Sequence, residues 1–130
     1  MNINFKQFST DFALEVNGQY TEYDDTTSLF ILRLPGARYQ MVIAKVFNHP
    51  KYDRYAVHVS SKICAAESAT KFVEMLKSNL DSMYTRFVIE DDYLKVEASA
   101  FIKTVEEEVI KEMILEVANT ADEWEQKITG

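Results

Sequence analysis

The sequence predicts an α+β fold, with one mostly antiparallel sheet and helices packed on it. Residues 29–64 carry three consecutive runs of apolar, β-branched and aromatic residues, separated only by Pro35-Gly36 and by a second turn around Pro50. Helical spacing precedes these runs and resumes after them, and two more strand-like runs come before a long final helix. We therefore predict the order helix, three-stranded antiparallel meander, helix, two-stranded hairpin and long C-terminal helix.

The first helix is predicted from an apolar stripe near the N-terminus. Its members recur at spacings of three and four, with polar residues between them: Phe5, Phe8, Phe12 and Val16. Asn17-Gly18 is expected to end this helix, because glycine tolerates the left-handed cap conformation. The polar residues 19–27 that follow are predicted to form a loop.

The meander is predicted over residues 28–34, 39–47 and 55–64. Pro35-Gly36 suits the first turn, because proline presets φ and glycine accepts a positive φ. In the third strand apolar and polar side chains alternate, with Tyr55, Val57, Val59 and Ile63 on one face and His58, Ser60 and Lys62 on the other. This alternation indicates an antiparallel sheet with one solvated face.

A second helix and a hairpin are predicted after the meander. Apolar residues mark the helix at helical spacing, with Ser68 available as its N-cap: Ala69, Phe72, Val73, Leu76, Leu80 and Met83. Residues 86–90 and 93–102 form the hairpin around Asp91-Asp92, since aspartate favours turns.

The final helix is predicted to begin at a capping box and to run to about Lys127. In the sequence Thr104-Val105-Glu106-Glu107 the threonine hydroxyl can bond a free amide and the glutamate can reach back. An apolar stripe continues from there at helical spacing, through Val105, Val109, Met113, Val117, Ala121 and Trp124. We expect Trp124 to anchor this helix against the rest of the fold.

Length and charge limit the classes of function. The chain has 130 residues, for which we predict a single domain spanning residues 1–130. Its net charge of −7 disfavours nucleic acid and anionic membranes as partners. The N-terminal residues lack the pattern of a signal peptide, and the apolar runs are too short for a membrane helix. We therefore expect a cytoplasmic protein.

The sequence contains no recognisable catalytic or metal-binding pattern. Its two histidines and single cysteine, His49, His58 and Cys64, fall short of a clustered zinc ligand set. The three glycines do not form a phosphate-binding loop. The acidic residues 90–92 and 106–108 fit a turn and the first turn of a helix, respectively. We predict no cofactor, no metal and no enzymatic activity.

The order of elements and three local segments resemble a known family. The segments are residues 34–42 (Leu-Pro-Gly-Ala-Arg-Tyr-Gln-Met-Val), residues 57–64 (Val-His-Val-Ser-Ser-Lys-Ile-Cys) and residues 114–124, which end the last helix at Trp124. Together they resemble the type III secretion chaperone-like fold and, within it, the YbjN-type family. The resemblance implies a cytoplasmic protein, often dimeric, that acts by binding other proteins.

We accordingly predict a non-enzymatic, chaperone-like protein-binding domain that acts through a sheet face or a helix surface as a homodimer. Basic and amide groups on the polar face of the meander are the predicted partner-binding residues, which we expect to form one surface: Arg38, Gln40, Arg54 and His58. The second helix and the adjacent strand supply the predicted dimer interface: Phe72, Met75, Leu76 and Phe87. The alternative is a small-molecule sensor that holds a ligand between the sheet and the helices.

Overall fold

A computed structural model describes residues 4–130 and confirms the predicted class and order of elements. Among the described residues, three α-helices and six strands follow one another along the chain. Their bounds are α1 Phe5–Glu15, β1 Gln19–Glu22, β2 Thr27–Leu34, β3 Arg38–His49, β4 Arg54–Ala65, α2 Phe72–Ser78, β5 Arg86–Glu90, β6 Tyr93–Phe101 and α3 Glu107–Thr129. Within residues 4–130, no helix is both long and apolar enough to cross a membrane.

The six strands form one antiparallel sheet in the order β1-β2-β3-β4-β6-β5. The turn between β2 and β3 places Gly36 at φ +83° and Ala37 at φ +58°, which explains why a flexible residue follows Pro35. Strand β6 pairs with β4, so the hairpin of β5 and β6 extends the meander, and β1 and β5 are the two edges of the sheet.

One face of the sheet is covered by α1 and α3, and we call it the covered face. Buried apolar side chains from the strands and both helices fill the layer between them, with Phe12, Phe30, Val42, Val59 and Ile114 among the most deeply buried. Trp124 is buried there as expected, with its ring 5.8 Å from that of Phe87 in an edge-to-face contact. Side chains thus fill the layer between the sheet and these two helices.

Three predictions of local structure are wrong. Residues 19–22 form strand β1 instead of a loop. The capping box is absent, because α3 begins at Glu107 and the Thr104 hydroxyl donates to the carbonyl of Phe101. Helix α2 is only seven residues long, and Lys71 precedes it in the left-handed conformation where Ser68 was expected as the cap.

Candidate protein-binding surfaces

The sheet face opposite α1 and α3, which we call the open face, combines apolar and basic side chains. Because side chains alternate along a strand, every second residue of β2 and β3 points to this face. Those residues include apolar side chains that are exposed or only half-buried: Leu29, Ile31, Tyr39, Met41, Ile43 and Phe47. A solvated sheet face with this much apolar surface is typical of an interaction site.

The open face is basic although the protein is acidic. Its basic strand positions outnumber its carboxylates, which are Glu90 and Glu97, and they are Arg33, Lys45, Arg54, Lys62, Arg86 and Lys95. The acidic residues are concentrated instead on the opposite side of the molecule, along α3. The open face therefore carries a local excess of basic residues within a protein of negative net charge.

The four predicted partner-binding residues do not share one face, so the prediction that they form a single surface is wrong. Arg38 and Gln40 lie on the covered face, in the same alternation as the buried Val42. The Gln40 amide donates to the Ser61 hydroxyl at 2.8 Å and to the Lys62 carbonyl at 3.2 Å, and Gln40 is buried. Its position and bonds give Gln40 a structural role.

Arg38 ties the β2–β3 turn to the final helix. Its Nε and Nη2 donate to the carboxylate of Asp122 on α3, at 3.0 and 2.8 Å. Asp122 is buried, whereas the Arg38 side chain is 43% exposed. The hydrogen bond and the charge of Asp122 raise the pKa of Arg38 above its ordinary value. A bidentate pair of this kind fixes geometry as well as charge.

Arg54 and His58 do lie on the open face. The guanidinium of Arg54 stacks 3.8 Å from the centre of the Phe101 ring. His58 lies between the Ser99 hydroxyl, 2.9 Å from Nδ1, and the Glu97 carboxylate, 2.9 Å from Nε2. Burial lowers the pKa of His58, and the charge of Glu97 only partly opposes this. The imidazole is therefore neutral at pH 7, donates to Glu97 and accepts from Ser99.

The four predicted interface residues meet in one shallow apolar groove of about 200 Å³ between α2 and β5. Val88, Ile89 and Leu94 complete its lining, and we call this surface the α2–β5 groove. Three more apolar side chains beside or beyond it are strongly exposed: Val73, Leu80 at 90% and Met83 at 81%.

Helix α2 faces the core with a different side from the one the sequence predicts. Met75, expected outside the packed stripe, is only 2% exposed and belongs to the core, so it forms part of the floor of the groove. Leu76, which the sequence placed both in the apolar stripe of the helix and in the dimer interface, is 67% exposed. Phe87 is partly buried against the core through Trp124. Phe72 and Leu76 are thus the predicted residues whose surface is free for another molecule.

The described residues provide neither a metal-binding cluster nor a favoured thiolate. Residues 4–130 contain no group of three or more His, Cys, Asp or Glu side chains arranged to hold a metal ion. Burial raises the pKa of the Cys64 thiol, with a further contribution from the charge of Glu125, so the reactive thiolate is disfavoured.

Comparisons with known proteins agree with this geometry. No protein-family model matches the chain, and no curated protein sequence matches it. Solved structures do. A chain of the HopA1–SchA chaperone–effector complex superimposes with a TM-score of 0.61 at 11% identity, over 94% of this chain and 93% of that one. A chain of the ExsC–ExsE complex gives a TM-score of 0.54 at 10% identity, over 98% and 97%.

This protein shares the fold of these two chains. The likeness extends over nearly the whole of each chain, which agrees with the chaperone-like fold that the order of elements predicted. At about one identical residue in ten the likeness establishes the fold and leaves the function to the chemistry of the surfaces. Those surfaces are the open face and the α2–β5 groove.

A simple sequence signal could have assigned the predicted partner-binding residues to the correct faces of the sheet. Side-chain direction in a strand depends on position along it, and Arg38, Gln40 and Val42 occupy alternate positions. A buried Val42 therefore places Arg38 and Gln40 on the covered face. The same alternation assigns Met41, Ile43 and Lys45 to the open face. Their residue types alone did not predict that they belong to an exposed surface.

Proposed function

We propose that this chain is a non-enzymatic, chaperone-like protein that holds a segment of a partner polypeptide on its open face. The observation that carries the proposal is the mixture of exposed apolar and basic side chains on one sheet face of an acidic protein. A segment rich in acidic and apolar residues complements this face in both respects. The fold supports the proposal, since chains with the same fold occur in chaperone–effector and ExsC–ExsE complexes.

We further propose that the protein is a cytoplasmic single domain related to the YbjN-type family, and that it works as a homodimer. The α2–β5 groove supports dimerisation, because isolated proteins rarely leave so many neighbouring apolar side chains in water. The groove also adjoins β5, a sheet edge that can pair with another chain. A second copy that covers the groove would remove both liabilities.

Selection from a random peptide library tests the binding proposal without knowledge of the native partner. We expect the selected peptides to be rich in Asp, Glu and large apolar residues, and to bind more weakly as salt rises. Met41→Glu should lower the affinity for the best peptide at least tenfold, because it places a carboxylate in the middle of the apolar surface. Leu14→Glu is the matched control, since Leu14 on α1 is also exposed, at 74%, but lies away from the open face.

Two outcomes contradict the binding proposal. One is a selected set with no acidic preference. The other is equal loss of affinity in Met41→Glu and Leu14→Glu, which would place the binding surface elsewhere.

Sedimentation equilibrium tests the dimer. We expect the protein to be dimeric at micromolar concentration and Leu76→Glu to shift it towards monomer, because a carboxylate would be buried in the interface. Leu14→Glu, an exposed leucine on another helix, should leave the dimer intact. A clean monomer at high micromolar concentration overturns the homodimer, whereas the peptide-binding result is independent of it.

A further inference from the structure

One end of the open face contains an aromatic slot. Ala56 on β4 pairs with Phe47 on β3 and with Phe101 on β6, so the small methyl group lies between two large rings. The depression here has a volume of about 410 Å³, and His49, His58 and Ser99 also line it. We call this feature the aromatic slot, with Phe47 and Phe101 as its walls and Ala56 as its floor.

Aromatic side chains line the depression on several sides. The His49 ring lies in contact with both walls, 5.8 Å from the Phe47 ring and 6.3 Å from the Phe101 ring, and the His58 ring lies 6.3 Å from that of Phe47. Ala56 is only 2% exposed, so a ligand ring would lie above the floor and beside His49. There it would meet the surrounding rings at the centroid distances of about 4.5–7 Å that aromatic pairs prefer.

The rim of the slot carries positive charge. The guanidinium of Arg54 lies 3.8 Å from the centre of the Phe101 ring, which is one wall of the slot. Arg86 lines the depression, and its Nε donates to Glu97 at 2.8 Å. A guanidinium has five N–H donors, so this bond leaves others for a ligand carboxylate. Glu97 also accepts from His58, so the nearby carboxylate is already engaged by two groups of the protein.

We propose that the aromatic slot receives one aromatic side chain of the bound partner segment, with an acidic residue beside it in the segment to meet Arg54 or Arg86. The inference rests on the proposed function and names the anchor that the open face recognises. Aromatic side chains in such desolvated positions carry a large share of the binding energy in protein interfaces. The charge around the slot distinguishes an aromatic residue with an acidic neighbour from one in a basic context.

A double-mutant cycle tests the slot. The best library peptide is compared with a version in which its aromatic residue is changed to alanine, against the parent protein and against Phe47→Leu. We expect each single change to cost at least tenfold in affinity and the second change to cost little once the first is made, because both remove the same contact. Tyr39→Leu is the matched control, since Tyr39 is an exposed aromatic residue on the same strand and face but outside the slot.

Ala56→Leu gives a second route to the same answer by filling the slot, and circular dichroism checks that the variant is folded. The proposal is overturned if selected peptides lack an aromatic residue or if the two changes act independently. Either result leaves the proposed function standing, provided that Met41→Glu still abolishes peptide binding. Loss of that response would overturn the proposed function instead.

Small aromatic compounds test whether the slot binds the side chain of a polypeptide or a free small molecule. N-acetyl-L-tryptophan should bind only at millimolar concentration and shift the amide signals around residues 47, 56 and 101, whereas the neutral N-acetyl-L-tryptophanamide and N-acetyl-L-leucine should bind at least fivefold more weakly. Micromolar binding of the free aromatic acid would assign the slot to a small molecule and overturn the proposal.

Discussion

The two faces of the sheet are made from the same strands but differ in how their polar side chains are paired. On the covered face, polar groups are few and each is matched to a partner, as Arg38 is to Asp122 and Gln40 to Ser61. On the open face, basic and apolar side chains stand side by side and are only partly covered. Stability therefore depends mainly on the covered face, whereas the open face is the one to which we assign recognition in the proposed function.

The difference follows from what each face contacts. A buried charge without a partner costs several kcal/mol, so the covered face tolerates only paired polar groups. A solvated charge costs nothing to expose and contributes modestly to stability. The open face can hold an excess of one charge for the same reason, and under the proposed function this excess is what the partner segment meets.

Trp124→Ala should show the largest loss of stability. Truncation of a buried tryptophan typically costs about 3–5 kcal/mol, and Trp124 also packs on Phe87. Urea denaturation followed by far-UV circular dichroism measures the change. Leu115→Ala, at a more exposed position of α3, is the control and should cost far less. An unchanged midpoint for Trp124→Ala would mean that the covered face does not hold the helix.

Arg38→Ala should come next, because it leaves the buried Asp122 without its partner. We expect the thermal midpoint to fall by roughly 5 °C. Arg54 lies on the open face, so Arg54→Ala should change the thermal midpoint little but lower the affinity for the selected peptide. The reverse pattern, with Arg38→Ala stable and defective in binding, would return Arg38 to the role that the sequence first predicted.

Glu116→Gln should have a smaller effect on stability, with a characteristic pH dependence. Burial acts to raise the pKa of Glu116, but the backbone amides of Met83, Tyr84 and Thr85 donate to its carboxylate and hold the pKa below its ordinary value. Loss of these charge-assisted bonds should cost about 1 kcal/mol, since the carboxylate is partly screened by solvent.

The sign of the pH effect follows from the lowered pKa of Glu116. The contribution is complete above the ordinary pKa of a glutamate and disappears as the pH falls through the lower pKa of the folded state. Glu116→Gln should therefore differ most from the parent at neutral pH and converge with it in acid. A constant difference at every pH would show that the charge of Glu116 is irrelevant.

The sequence predicted the elements that repeat a strong local pattern. Alternation identified the strands from residue 28 to residue 64, and the stripe ending at Trp124 identified the last helix. Strand β1 was missed because four polar residues become a strand only when β2 lies beside them. The orientation of α2 was missed because a helix of seven residues takes its direction from the core it touches.

The surfaces were harder to predict than the fold. Arg38 was assigned to a partner because its natural partner, Asp122, lies 84 residues away and only the folded chain brings them together. The aromatic slot joins residues from three strands, which are neighbours only through the pairing of β4 with β3 and β6. The local sequence predicts which face of a strand each side chain points to. A site made from several strands depends in addition on which strands become neighbours in the sheet.

The most direct test of the contrast between the faces is the affinity of the best library peptide for two charge reversals. Lys45→Glu alters the open face, and Lys127→Glu alters α3 on the opposite side of the molecule. Both remove one lysine and add one carboxylate, so the net charge changes equally. We expect Lys45→Glu to weaken binding at least fivefold and Lys127→Glu to change it less than twofold. Equal effects would mean that the peptide responds to overall charge, and that the open face is not the binding surface.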